Sequence, residues 1–102
     1  MTDLHHLTAL EQAAAIRSRE LSPVELTEHY LSRAHHLNEA VGAFITQTPQ
    51  LAMEQAREAE HVVLATSDPR NLDPLHGVVV PVKDLNNVAG VRCTRGSKVY
   101  AD

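Results

Sequence analysis

Apolar residues in the first two thirds of the chain recur at helical spacing. Leu26, Tyr30, Ala34, Leu37 and Val41 stand four, four, three and four residues apart, which predicts one buried helical face. Ser22-Pro23-Val24-Glu25 sits just ahead of that stripe. It offers a capping serine, a proline suited to the first helical position, and an acid at the third. Gly42 supplies the stop. A weaker stripe of Leu10, Ala13, Ala14 and Ile16 precedes it, in a helix predicted over residues 9–20. Thr8 opens that helix, with Glu11 three residues on as its capping-box partner. A third helix restarts at Thr48-Pro49 by the same cap-and-proline logic and carries Ala52, Ala56, Ala59 and Val63. Alanine along a face lets a helix sit close to its neighbour.

The period then changes. "AFIT", residues 43–46, reads as a short strand, and "TSDPRNLDP", residues 66–74, as a loop. "VVVPV", residues 78–82, is a continuous apolar run of the kind found in strands buried on both faces. Pro81 cannot donate to a sheet ladder and favours an edge or a strand end. "LNNVAG" is turn material, and "VRCT", residues 91–94, reads as another short strand. The pattern predicts three helices followed by one to three short strands. It divides the chain into a mainly helical layer (1–65), a loop (66–74) and a strand-and-loop region (75–102).

Composition adds bounds. With 102 residues, 43% hydrophobic and 22% charged, the chain suits one small globular domain. Aromatics are 3% and tryptophan is absent, so the core must come from Leu, Val, Ile and Ala. Net charge is −4 and the basic residues are scattered, so no direct nucleic-acid binding is expected. No secretory pattern opens the chain, and no apolar run approaches the ~20 residues of a membrane span. The expectation is a soluble cytoplasmic protein. The single cysteine, Cys93, excludes an internal disulfide framework and a multi-cysteine metal site.

Lys83 is the residue of chemical interest, a lone amine ending the most strand-like run. One reading is a solvated lysine at a strand end. The other is a lysine whose ammonium is disfavoured by an apolar wall, leaving a neutral amine able to activate a serine hydroxyl. Asp84 next to it reads as a turn or orienting residue rather than an acid catalyst. The histidines (His5-His6, His29 and His35-His36) read as solvated helix residues. His29 and His36 could share a face, but no His-x3-His pair appears, and no acid stands at a ligand-like spacing. Cys93 has Arg92 and Arg95 nearby, but the nearest histidine in sequence, His76, is distant, which favours a structural thiol. "GVRCTRGS" has too few glycines for a phosphate-binding loop.

"PLHGVVVPVKDLNNVAGVRCTRGSKVYAD" resembles the amidase signature family around its catalytic lysine. Pro74, Leu75, Gly77, Val78, Val82, Lys83 and Asp84 match that family's pattern in order. Gly90, Thr94, Gly96 and Ser97 match the loop that follows. "LSPVEL" and "LNEAVGAF" are similar to the family's opening helices, so the resemblance covers nearly the whole chain. One departure is Val79, which stands where the family commonly has proline, while Pro81 comes two positions later.

The resemblance implies an α/β fold, a mixed sheet covered by helices, with this chain as its N-terminal piece and the sheet incomplete. It implies hydrolysis of a carboxylic amide C–N bond by a Ser–cis-Ser–Lys triad, with Lys83 as the base. No metal or organic cofactor is implied, and the substrate is a small amide. Both family serines lie well downstream of the lysine, and none of Ser18, Ser22, Ser32, Ser67 or Ser97 lies in such a segment. The expectation is that these residues alone are inactive. They are also expected to self-associate, or to need a partner chain over an open sheet edge. Two alternatives stand: a fragment of the A-type component of an aminoacyl-tRNA amidotransferase, and a non-catalytic interaction module or truncated relic.

Overall fold

The computed structural model describes residues 3–84, 86–96 and 98–100. Leu85 and Ser97, both within the lysine motif, lie outside the described residues, as do 1–2 and 101–102. Three α-helices dominate: α1 (Ala9–Arg17), α2 (Pro23–Val41) and α3 (Pro49–Ala65). Single 3-10 turns stand at Leu4–His6, Pro69–Asn71 and Lys98–Tyr100.

The capping box that opens α1 is formed. The Glu11 N–H donates to the Thr8 hydroxyl at 3.1 Å, and the Thr8 N–H donates to the Glu11 carboxylate at 2.9 Å. The Thr8 backbone bond, then its hydroxyl bond, holds the Glu11 carboxyl below its ordinary pKa. The helix stops earlier than its sequence pattern suggests because Arg19 turns into the left-handed region at φ 64°. That conformation costs a non-glycine residue about 1–2 kcal/mol. Its guanidinium recovers some of this by donating to Val63 O at 3.3 Å and Thr66 O at 3.1 Å, carbonyls that end α3.

Ser22 caps α2 by accepting from the Val24 N–H at 3.0 Å, and its hydroxyl donates to Glu60 of α3. The cap thus also ties two helices together, and Glu25 is not its reciprocal partner. Gly42 closes α2 at φ 61°, a conformation glycine adopts freely, with its N–H on Asn38 O. Thr48 makes no side-chain cap, so α3 starts on Pro49 alone.

The helical faces are partly as the spacing predicts. On α3, Ala56 and Val63 are buried and Ala52 and Ala59 half-buried. On α2, Leu26 is fully buried and Tyr30 and Ala34 half-buried, but Leu37 and Val41 are 46% and 70% exposed. The α2 stripe runs past the end of its cover. On α1, Leu10 and Ala14 face solvent, and the buried set is Gln12, Ala13 and Ile16. Gln12 is tolerated inside because its amide donates to Leu4 O at 3.0 Å and to the Tyr30 hydroxyl at 2.7 Å.

The core joins Ile16, Leu21, Leu26 and Val63, with Leu4, Tyr30, Leu72, Val78 and Val79 packed against it. Burial of an aliphatic side chain of this size is worth about 1.5–3 kcal/mol.

None of the three expected strands forms among the described residues. The only bridge among them is an antiparallel one between Val88 and Val91, across a tight turn. Each absence has a local cause. In "AFIT", the Asn38 side chain takes both backbone groups of Phe44, accepting from its N–H at 2.6 Å and donating to its carbonyl at 2.9 Å. In "VRCT", the N–H of Thr94 goes to the Asp84 carboxylate. "VVVPV" runs irregularly: Val78 and Val79 pack on the helices, while Val80 and Val82 are 68% and 57% exposed. Burial on both faces does not hold for that run here, because no neighbouring strand lies beside it among the described residues.

Candidate active site

Gly77 fixes how the lysine-bearing segment meets the helices. Its φ is 82°, and a Cβ there would stand 3.0 Å from Pro23 Cγ and 3.2 Å from Ile16 Cδ1. A side chain there would be strained by the positive φ and would press on both core residues, which would have to give way by a few tenths of an ångström. His76 adds a lock, its Nε2 donating to Ala59 O of α3 at 2.9 Å. Arg17 of α1 donates to Pro74 O at 3.0 Å. The matched residues Pro74, Leu75 and Gly77 therefore form an anchored turn from which residues 78–83 run outward.

Lys83 stands at the outer end of that run, exposed, and its ammonium makes no ion pair among the described residues. Its carbonyl accepts from the Asn86 N–H at 3.0 Å, which starts the next turn. Among the described residues, one shallow concavity is lined by Pro49, Met53 and Arg57 and another by Thr48, Leu51, Ala89 and Val91. Lys83 lines neither. The exposed side chain places the lysine at the surface of the described residues.

Asp84 is the organiser of the loop. Its carboxylate accepts from the Thr94 N–H at 2.9 Å, from the Thr94 hydroxyl, and from the Gly96 N–H at 3.0 Å. The Cys93 thiol donates to the Asp84 carbonyl at 3.3 Å. The Thr94 hydroxyl, then the Thr94 N–H, hold the Asp84 carboxyl below its ordinary pKa against a smaller opposing effect of burial. Thr94 is itself 4% exposed. Asp84 is thus an orienting residue, as its sequence context suggests, and Cys93 is a structural thiol. Thr94, one of the residues that match the family loop, owes its place in the motif to this clasp.

The histidines are not all solvated singles. His5 Nδ1 and His29 Nε2 are 2.9 Å apart, their rings stacked at 5.1 Å between centroids. His6 crosses His5 edge-on at 4.4 Å. Partial burial, then the Arg33 charge, hold the His5 pKa below its ordinary value. An acid is also present, since Asp3 stands two and three residues before His5 and His6 and offers a ligand atom within 4.8 Å of theirs. This corrects the reading that no acid has a ligand-like spacing. His35 and His36 are exposed and touch each other.

No helix among the described residues is long and apolar enough to cross a membrane. The model of the Amidase family matches residues 25–102. The A-type component of the glutamyl-tRNA(Gln) amidotransferase of Chloroflexus aurantiacus is 37% identical over 101 residues, 99% of this chain and 20% of that relative. The protein of the same name from Methylococcus capsulatus is 40% identical over 96 residues, 94% of this chain and 19% of the relative. That of Anaplasma phagocytophilum is 38% identical over 97 residues, 95% and 19% of the two chains. The chain thus spans about a fifth of the length of these relatives. No solved structure matches it. Across the helices and the lysine motif alike, this chain belongs to the Amidase family.

Proposed function

We propose that these residues supply the general base of an amide-cleaving enzyme, and that the base is Lys83. The observation that carries the reading is the Asp84 clasp beside an uncommitted amine. Three bonds to one carboxylate fix the loop on the far side of Lys83, and the Gly77 turn fixes the near side. An amine held between two anchors is positioned for proton transfer.

In the proposed reaction, serines from outside these 102 residues complete the triad and seat Lys83 against a sheet. The exposed Val80 and Val82 then pack into that mixed α/β architecture, whose apolar surroundings favour the neutral amine. Lys83 takes the proton of the nucleophilic serine through the bridging serine. The serine attacks the amide carbonyl, the amine or ammonia leaves, and water releases the acyl group. Backbone N–H groups of the added segments hold the oxyanion.

The names of the relatives favour one setting for this chemistry. Each is named as one component of a multi-component glutamyl-tRNA(Gln) amidotransferase. We assign this chain to the same component, with ammonia released from an amide as its product and the other components of the assembly beside it.

The test joins residues 1–102 to the remaining four fifths of the Methylococcus relative and follows ammonia release from glutamine and simple amides. Lys83→Ala and Lys83→Arg should both nearly abolish turnover with the fold intact, because guanidinium stays protonated at neutral pH. Normal rates in the arginine variant exclude the base role.

A further inference from the structure

The sequence places a carboxylate and two imidazoles in one short turn, and the fold brings a third imidazole to it from α2. One ligand atom each from Asp3, His5 and His6 lie within 4.8 Å of one another. The Asp3 carboxylate is not spent on capping its own turn. We propose that Asp3, His5 and His6 form a binding site for a divalent transition metal of the zinc class, braced by His29.

The donor set is the first argument. Two imidazoles and a carboxylate suit zinc and its neighbours rather than magnesium or calcium, which prefer oxygen ligands throughout. Metal–ligand bonds of about 2.0–2.2 Å put tetrahedral donors about 3.3 Å apart. Binding therefore requires the three atoms to close from a separation within 4.8 Å to that distance. Water completes the shell, since the site faces solvent on the Asp3 and His6 sides.

The second argument is His29. Metal-bound imidazoles commonly donate their other ring N–H to an acceptor, which fixes tautomer and orientation. His5 and His29 offer the distance for this arrangement: Nδ1 of the first lies 2.9 Å from Nε2 of the second. With Nδ1 donating, the lone pair on the other ring nitrogen of His5 is available. His29 is carried by α2, so a bound ion would fasten the Leu4–His6 turn to that helix. The ion has no part in the amide chemistry proposed above.

The test uses the 102-residue chain without a polyhistidine tag, stripped of metal and titrated with zinc by calorimetry and with cobalt(II) by absorption. One equivalent should bind saturably and raise the melting temperature, since a ligand of the folded state stabilises it. Asp3→Asn and His6→Ala should abolish uptake while leaving the metal-free melting curve unchanged. His29→Gln should weaken binding by about 10–100-fold. The double variant His35→Ala/His36→Ala should bind as the parent does. No saturable uptake by the parent chain, or uptake in Asp3→Asn and His6→Ala equal to the parent's, overturns the proposal.

Discussion

At residue scale, the lysine motif is held by Asp84 more than by any regular element. The protonation state of that carboxyl sets the strength of the hold. Its folded pKa lies below the ordinary value near ~3.9, because Thr94 and Gly96 donate to the charged form. A depressed pKa contributes stability that is complete above the unfolded value and is lost as pH falls through the folded one. The clasp should therefore be intact at neutral pH and open only in acid, as pH falls through a folded pKa that lies below the ordinary carboxylate value. Amide hydrogen exchange at Thr94 and Gly96 reads this directly. Asp84→Asn should accelerate exchange at both amides at neutral pH, and equal protection in that variant would count against the clasp. Asp84 and Thr94 stand ten residues apart, too far for any local pattern to join them. Asn38 and Phe44 posed the same difficulty. Side chains that capture backbone groups compete with strands, and nothing in apolar spacing announces them.

At the scale of elements, the helices were legible because their signals are local. Thr8 with Glu11, Ser22 with Pro23, and Gly42 each act within one turn. What the spacing could not show is how far a partner extends along each face. Leu37 and Val41 continue the α2 stripe beyond the helix that covers it, and so face solvent. Gln12 went the other way, into the interior, because Tyr30 and Leu4 meet its amide there. Ser22 serves both as cap and as donor to Glu60, so its loss should be felt by two helices. Ser22→Ala should cost about 0.5–2 kcal/mol through the cap. Urea denaturation checks this, and an unchanged midpoint with an unchanged slope would refute it.

At the scale of the whole molecule, the chain is more open than its mass suggests. Its radius of gyration is 15.1 Å, whereas about 13 Å is usual for 100 residues. Its accessible area is 7543 Å², whereas about 5,700 Å² follows for a compact monomer of 11.2 kDa. The excess includes Val41, Leu64, Val80 and Val82, all more than half exposed. The expected open sheet edge is replaced by these apolar side chains on helix ends and on an irregular segment. The 102-residue chain should therefore associate with itself when it stands alone. Light scattering across a concentration series should show mass rising with concentration. A monomer throughout, with a sharp thermal transition, would mark these residues as self-sufficient.

The Asp84 clasp joins residues only ten and twelve apart in the chain. Loops of that length close in about 10–100 ns, whereas a ribosome adds about 5–20 residues each second. Within a longer protein of the relatives' length, the lysine loop could therefore reach its final shape before later residues were made. In such a protein, segments made afterwards would meet a loop already formed around the lysine, and the order of synthesis would match the order of assembly.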